Sequence, residues 1–308
     1  SGPIERATSL LPQFMHKKII SFEKIISGIT LICWGYFKKV VVADSLAANV
    51  DTIFENYATL NGGVLLLGLI YFSFQIYCDF SGYSDIAIGT SKLFGFELMS
   101  NFKFPYFSRD IGEFWRRWHI SLSTWFRDYL YIPLGGSKGG KWLSIRNIFM
   151  IFIVSGFWHG ANWTFIMWGL IHAMLYVPIF IRGKNRQYIA SIVAEGRWLP
   201  TLKELFQMGS TFFFIMIAWV FFRSPDISIA LDYLSIIILD FDYNITFKRG
   251  LLIISFFISL DWLLRHSEKD ILLHKNVALR YCFYFVLIFF ILLNFFDYDM
   301  NEFIYFQF

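Results

Sequence analysis

The sequence predicts an all-α, multi-pass membrane protein, and three observations support that prediction. Hydrophobic residues occupy 56% of the 308 positions and charged residues only 16%, whereas about a quarter of an ordinary soluble domain is charged. Uncharged runs of 16 to 35 residues recur along the chain, and a helix that crosses a bilayer needs about 20 such residues. The chain shows no alternation of polar and apolar residues typical of barrel strands.

The composition also excludes several classes of protein. Low charge and high hydrophobicity exclude a disordered chain and a nucleic-acid-binding domain. Three cysteines, each inside an apolar run, exclude a disulfide-stapled secreted module. The first residues start with Ser1 and lack the build of a signal peptide. We therefore expect residues 1–308 to form a single membrane domain, the C-terminal portion of a longer protein whose N-terminal helices are missing here.

The uncharged runs predict six to eight helical elements in the bilayer. The clearest runs are bounded by charged residues and cover residues 56–78, 147–181, 205–222 and 281–296. Weaker runs, which contain a charge or are amphipathic, cover residues 25–43, 227–239 and 250–264. Of these, the amphipathic run 227–239 is predicted to lie flat at the membrane interface.

The segment between Asp79 and Arg146 is too polar to be a simple span and too aromatic to be a solvent loop. Residues 103–146 hold eight Lys or Arg against three Asp or Glu, an excess of five positive charges. Cytoplasmic segments of membrane proteins carry such an excess. Irregular polar backbone at membrane depth persists only where it is buried in protein or lines a cavity. We expect the functional site here, on the cytoplasmic side.

Residues 109–131 are predicted to form one helix with Ser108 as its N-cap. At about 100° per residue, one polar arc about 120° wide collects Glu113, Arg116, Arg117, Thr124, Arg127 and Asp128. His119 lies at the border of this arc, beside Trp115 and Ser123. The pattern is consistent with an interfacial helix anchored by Trp and Arg. A border histidine beside a basic stripe favours instead the wall of a polar cavity that admits a phosphorylated ligand.

His159 lies in the middle of the 35-residue run 147–181, which is too long for one span. Gly156, Gly160 and Asn162 predict a break into two helices there, and Asn162 is a further candidate for lining a site. An ionisable side chain inside a span is a functional candidate, because a stranded polar group costs several kcal/mol. The alternative is a histidine satisfied by a neighbouring helix, which is how we interpret His172.

Residues 135–141 read Gly-Gly-Ser-Lys-Gly-Gly-Lys and match part of a phosphate-binding loop. Trp142 stands where such a loop needs Ser or Thr for magnesium. We interpret the segment as a basic, glycine-rich loop on the cytoplasmic rim. Lys138 and Lys141 are therefore candidates, like the two arginines of the stripe, for attracting the phosphates of a ligand.

Several motifs, in order, resemble the membrane-bound O-acyltransferase (MBOAT) family. They are Tyr-Cys-Asp-Phe-Ser-Gly-Tyr-Ser-Asp at 77–85, Phe-Trp-Arg-Arg-Trp-His-Ile-Ser-Leu-Ser at 114–123, Trp-Phe-Arg-Asp-Tyr-Leu-Tyr at 125–131 and Trp-His-Gly at 158–160. The bacterial branch with alginate O-acetylation proteins is the most similar. This resemblance implies an all-α funnel with re-entrant and amphipathic helices. It also implies a catalytic histidine, His159, at the narrow centre and a supporting histidine, His119.

The resemblance further implies an O-acyltransferase, here an acetyltransferase, in the bacterial inner membrane. Acetyl-CoA in the cytoplasm would be the donor, an exported polysaccharide or cell-wall glycan the acceptor, and a separate extracytoplasmic acyltransferase the partner. Transfer from a thioester needs a base for the acceptor proton and donors for the developing oxyanion, and no bound cofactor or metal. A neutral imidazole is the natural base near pH 7.

Two other functions remain open from the sequence. One is D-alanyl transfer toward teichoic acid from an acylated carrier protein. The other is a non-enzymatic transporter or scaffold in which His119 and His159 line a polar path. Metal binding is poorly supported, because neither histidine has an evident third ligand.

Overall fold

The computed structural model describes residues 2–189, 191–266, 277–295 and 303, and within these ranges all regular structure is helical. The α-helices are α1 Ala7–Met15, α2 Phe22–Tyr36, α3 Ser45–Glu55, α4 Gly62–Leu93, α5 Ile111–Arg117, α6 Ile120–Phe126, α7 Lys141–His159, α8 Trp163–Ile181, α9 Leu202–Arg223, α10 Ile227–Leu239, α11 Arg249–Leu264 and α12 Val277–Phe295. Two π-helical segments, Phe37–Asp44 and Arg127–Tyr131, continue α2 and α6.

Four helical stretches in the described residues are long and apolar enough to cross a membrane. They are Phe22–Glu55, Gly62–Leu93, Trp163–Ile181 and Leu202–Arg223. The predicted class, an all-α multi-pass membrane protein, is therefore confirmed. The amphipathic run matches α10, and the last predicted run matches α12 apart from residue 296, which lies outside the described residues.

The chain divides into two compact units. The first contains the described residues of 1–52, 71–103 and 246–307, and the second contains residues 53–70 and 104–245. Every candidate site residue predicted from the sequence belongs to the second unit.

The run predicted to end at Cys78 is wrong at its C-terminal end, because α4 continues through Asp79 and Asp85 to Leu93. Ion pairing allows this in the first unit. Lys39 lies 2.8 Å from the carboxylate of Asp79, and Lys38 contacts Asp85. A charge that ends an apolar run in the sequence is tolerated inside a buried helix when it is paired.

The break predicted within residues 147–181 is confirmed, since α7 ends at His159 and α8 begins at Trp163. The two helices run antiparallel with their backbones in contact. A Cβ atom on Gly156 would lie 2.2 Å from the carbonyl oxygen of Phe165, and one on Gly169 would lie 2.2 Å from that of Phe152. Larger residues would force the helices apart, so these glycines fix the position of His159 relative to α8.

The single helix predicted for residues 109–131 is wrong. Its first half, α5, has Asp110 rather than Ser108 as N-cap, with the Asp110 carboxylate 2.7 Å from the amide nitrogen of Glu113. His119 then adopts a left-handed backbone conformation with φ 45° and ends the helix, and α6 restarts at Ile120. The polar arc calculated for one continuous helix therefore does not exist as a single stripe.

Candidate active site

His119 occupies the joint between α5 and α6. The left-handed backbone conformation is uncommon for residues other than glycine, although His is among the enriched exceptions. The carbonyl oxygen of His119 accepts a hydrogen bond from the amide of Ser123 at 3.0 Å and so starts α6. The side chain is 3% exposed. The kink between α5 and α6 thus coincides with a buried imidazole.

His159 is the last residue of α7 and is half-buried. Its ring lies edge-on to three aromatic rings at the same centroid distance of 5.1 Å, those of Trp158, Trp168 and Phe222. The turn after it is held by Asn162, the N-cap of α8. The side chain of Asn162 accepts from the amide of Thr164 at 3.1 Å and donates to the carbonyl oxygen of Pro225 at 2.7 Å.

The two predicted histidines come together although they are 40 positions apart in the sequence. The ring of Trp158 contacts both, with centroid distances of 6.3 Å to His119 and 5.1 Å to His159. Burial lowers the pKa of His119 well below its ordinary value of 6.5, and the neighbouring His159 lowers it further. His119 is therefore a neutral imidazole near pH 7, able to donate one hydrogen bond and accept another.

An aromatic cluster extends from His159 along α8. The ring of Trp168 contacts that of His159 and also lies 4.9 Å from the ring of His172. His172 is fully buried. The indole N–H of Trp115, on α5, donates to Nδ1 of His172 at 3.3 Å. Trp115, predicted to bind substrate, therefore contacts the buried His172 and Trp168. Among the described residues, neither Nε1 of Trp168 nor Nε2 of His172 has a hydrogen-bond partner.

The two arginines predicted to bind phosphate differ in their surroundings. Arg117 donates from Nε and Nη2 to Oε1 of Glu113, at 3.1 and 2.9 Å, and Glu113 has no exposed surface. Arg109 reaches the same carboxylate, so Glu113 holds two guanidinium groups in a buried ion-pair network. Arg117 is thus engaged inside the protein.

Arg116 has more hydrogen-bonding capacity to spare. Its Nη1 donates to the carbonyl oxygen of Asn185 at 2.6 Å. Its Nε and Nη2 atoms are buried without a hydrogen-bond partner among the described residues. Burial lowers the pKa of this guanidinium, while the nearby Asp110 carboxylate opposes that change. Arg116 therefore remains the better arginine for meeting an anion.

The glycine-rich loop lies just before α7. Asn147 is fully buried and donates to the carbonyl oxygens of Leu134 and Gly136, at 3.2 and 3.1 Å, so the loop is anchored to the helix. Lys138 and Lys141 are exposed on it. Ser123, the remaining predicted site residue, is half-buried and donates to the carbonyl oxygen of Trp118 at 3.4 Å.

The comparison with known proteins decides the family. The profile of the membrane-bound O-acyltransferase family matches residues 11–179, more than half of the chain. The chain belongs to the membrane-bound O-acyltransferase family. The match includes both histidines, the basic loop and α8 down to Ile179.

Curated relatives of this family member come from several bacteria. The chain is 42% identical over 233 residues to the probable alginate O-acetylase AlgI of Pseudomonas syringae pv. tomato, which covers 75% of the chain and 42% of that relative. It is 39% identical to the peptidoglycan O-acetyltransferase of Helicobacter pylori, covering 76% and 43%. It is 30% identical to the teichoic acid D-alanyltransferase of Bacillus subtilis, covering 72% and 57%. The chain thus spans less than half the length of the first two relatives.

Sequence reasoning missed two residues of this site. Glu113 was taken as one charge on a polar arc, whereas it is the buried acceptor for two arginines. Trp168 was not singled out. His172, interpreted as a histidine satisfied by a neighbouring helix, does accept a hydrogen bond from Trp115 of α5. The i, i+4 spacing of Trp168 and His172 on α8 was the available signal, because such residues share one helix face. Within the described residues no three His, Cys, Asp or Glu side chains are grouped as a metal site would require.

Proposed function

We propose that this chain is the membrane part of an O-acyltransferase that moves an acetyl group from acetyl-CoA to a hydroxyl group. The single observation that carries the proposal is the meeting of His119 and His159 on the ring of Trp158. Two imidazoles, one from the joint between α5 and α6 and one from the end of α7, meet at one aromatic ring and form a candidate base and its partner. Membership of the family supports this assignment of roles.

His159 is the proposed general base. It takes the proton of the acceptor hydroxyl while that oxygen attacks the thioester carbonyl, and it returns the proton to the departing thiolate. Aromatic rings surround its imidazole and limit access of water, which would otherwise hydrolyse the thioester. His119, buried and neutral, is the proposed supporting residue, which orients the acceptor or His159 by a hydrogen bond.

Acetyl-CoA is the proposed donor, and its phosphates are proposed to meet the exposed Lys138 and Lys141 together with Arg116. The loop and the helix joint carry the positive charge expected of a cytoplasmic segment, where activated thioesters are made. These lysines act by charge attraction, which is effective over about 10 Å at 0.1 M salt.

The proposed acceptor is an exported polysaccharide or cell-wall glycan, reached through a separate extracytoplasmic acyltransferase in the bacterial inner membrane. The names of the relatives support acetyl over D-alanyl transfer. The alginate and peptidoglycan O-acetylating relatives are 42% and 39% identical, compared with 30% for the D-alanyltransferase. Transfer of D-alanine from a carrier protein is therefore the second candidate.

The test is consumption of acetyl-CoA by the full chain in membranes, with and without His159. His159→Ala is expected to lower the rate by about 10²- to 10⁴-fold, as loss of a positioned base does. His16→Ala, which changes an exposed histidine in the first unit, is the matched control and is expected to leave the rate unchanged. Equal rates for parent and His159→Ala, at matched protein level, would reject the assignment. Release of D-alanine from a carrier protein, with acetyl-CoA untouched, would select the second candidate.

A further inference from the structure

A buried indole N–H beside the candidate base lacks a protein acceptor. Trp168 is 1% exposed, and its Nε1 has no hydrogen-bond partner among the described residues. The indole nitrogen is a donor only, and a buried Trp normally finds a partner for it. A buried donor without an acceptor destabilises the folded protein. A group left in this state inside a native protein calls for an explanation, of which a catalytic role is one.

The nearest polar ring does not satisfy this donor. The ring of His172 lies 4.9 Å from that of Trp168. Nδ1 of His172 accepts a hydrogen bond from the indole of Trp115 at 3.3 Å. A nitrogen that accepts carries no hydrogen, so the ring is the neutral tautomer with its hydrogen on Nε2. Nε2 is then a donor as well, and it has no lone pair to offer Trp168.

The position of Trp168 relates this donor to the proposed chemistry. Its ring meets that of His159 edge-on at 5.1 Å, with an interplanar angle of 86°. The close contact of α7 and α8 at Gly156 and Gly169 holds the two helices in this register. Trp168 is also packed against Trp219 and Phe222 of α9, with ring centroids 6.1 and 5.5 Å away, and these contacts restrict the movement of its ring.

We propose that the indole N–H of Trp168 is the donor that stabilises the oxyanion formed during acyl transfer, an inference that rests on the proposed function. The acceptor hydroxyl oxygen bonds to the carbonyl carbon of the thioester, and its proton moves to His159. The carbonyl electron pair moves onto oxygen, which accepts the hydrogen bond from Nε1 of Trp168. When the C=O bond re-forms, the C–S bond breaks, and the thiolate leaves with the proton from His159.

This role fits the physical requirements for such a donor. A preorganised N–H in a water-poor site stabilises developing charge without the cost of reorganising solvent. A fully buried indole keeps its orientation, whereas an exposed amide would have to give up bound water. Trp115 contributes indirectly, because its hydrogen bond to His172 keeps that ring from accepting the hydrogen bond that Trp168 donates to the substrate oxygen.

The test compares Trp168→Phe with Trp34→Phe in the full chain in membranes, using acetyl-CoA as the probe. Both substitutions replace a buried indole, but Trp34 belongs to the first unit, whereas the ring of Trp168 lies 5.1 Å from that of His159. Trp168→Phe is expected to lower kcat by about 10²- to 10³-fold with KM changed less than threefold. Trp34→Phe is expected to keep kcat within a few-fold. A kcat for Trp168→Phe equal to that of Trp34→Phe would overturn the proposal.

A second variant removes the risk that Trp168→Phe disturbs packing. Replacing the indole of Trp168 by a benzothiophene side chain keeps the bicyclic shape and removes the N–H. The same loss of kcat is expected, and full activity of this variant would overturn the proposal. If the parent consumes acetyl-CoA and His159→Ala does not, while both Trp168 variants are fully active, the acyltransferase stands and the oxyanion donor is rejected. If the parent itself is inactive toward thioesters, both proposals are overturned.

Discussion

Nζ of Lys39 lies 2.8 Å from Oδ1 of Asp79 and joins the π-helical segment 37–44 to α4. The same ammonium group lies 2.9 Å from Oδ1 of Asp44. Both carboxylates are almost fully buried, with 3% and 4% of their side chains exposed. One lysine therefore pairs with two buried carboxylates in the first unit. This explains how a chain of low charge keeps charged residues inside apolar helices.

Removal of this lysine is expected to destabilise the protein strongly. Lys39→Met removes one cation from two buried carboxylates, and breaking a buried pair from one side costs about 3–5 kcal/mol. The midpoint of thermal unfolding in detergent is expected to fall by several degrees. Lys24→Met is the control, because Lys24 pairs with Glu97 at the surface, with 40% and 71% of the side chains exposed, and exposed pairs contribute about 0–1 kcal/mol. Equal thermal midpoints for the two variants would show that the buried ion pairs of Lys39 stabilise the fold no more than the exposed pair of Lys24 does.

Acidification is expected to destabilise the folded chain through His119. Its pKa is lowered by burial in the folded state, while an unfolded histidine keeps a value of about 6.5. The unfolded state therefore binds the proton more readily, so stability is full above about pH 6.5 and falls as the pH drops toward the folded pKa. Each unit by which the pH falls within that window lowers the free energy of unfolding by up to about 1.4 kcal/mol.

The measurement is the thermal midpoint at pH 7.5 and pH 5.5 for the parent and for His119→Asn. Asn tolerates the left-handed conformation at this position and does not titrate, so the variant is expected to lose less stability on acidification. His16→Asn, at an exposed site, is expected to keep the parental pH dependence. If His119→Asn shows the full parental loss, His119 is not the group responsible.

The basic residues predicted to bind phosphate are expected to differ in what their substitution changes: KM for the exposed lysines and stability for Arg117. Replacing both exposed lysines of the loop, Lys138→Gln with Lys141→Gln, is expected to raise KM for acetyl-CoA several-fold at low salt and to leave kcat unchanged. The effect is expected to shrink at 0.5 M salt, since screening weakens exposed charges. Arg117→Gln, in contrast, removes one cation from the buried Glu113 and is expected to lower the thermal midpoint at any salt concentration. If KM for acetyl-CoA changes neither with the two lysine substitutions nor with the salt concentration, the proposed attraction of the CoA phosphates by these lysines is rejected.

The sequence predicted the elements whose signals are local and missed those set by tertiary contacts. Gly160 and Asn162 mark the break after His159 because a glycine and a helix cap act on their own neighbours. The kink at His119, where φ is 45°, has no such marker, because no glycine or proline stands at the joint. In the same way, Asp79 ends an uncharged run of the sequence, although α4 continues past it. Its ion-pair partner, Lys39, lies 40 positions earlier and so gives no local signal. Pairing across the fold decides where such a helix stops.

The topology of α7 gives a last prediction about direction across the membrane. The helix has 19 residues and at 1.5 Å per residue is about 28 Å long, close to the thickness of a bilayer core. The basic loop precedes its first residue and His159 is its last. The four candidate spans include α8 but not α7. We expect α7 to cross beside α8, because the two helices are antiparallel and in backbone contact, so that the turn after His159 lies near the opposite face. Acyl transfer through the site would then move the acetyl group outward while CoA stays inside.

Cysteine labelling tests this arrangement in intact cells. In a background with Cys33→Ser and Cys282→Ser, Lys138→Cys is expected to react only with a membrane-permeant maleimide. Trp163→Cys, at a position 75% exposed just beyond His159, is expected to react with an impermeant one. Buried Cys78 is retained, and the background protein without either new cysteine measures its reactivity. Labelling of both positions from one face would contradict a crossing α7 and leave a transferase that works on one side only.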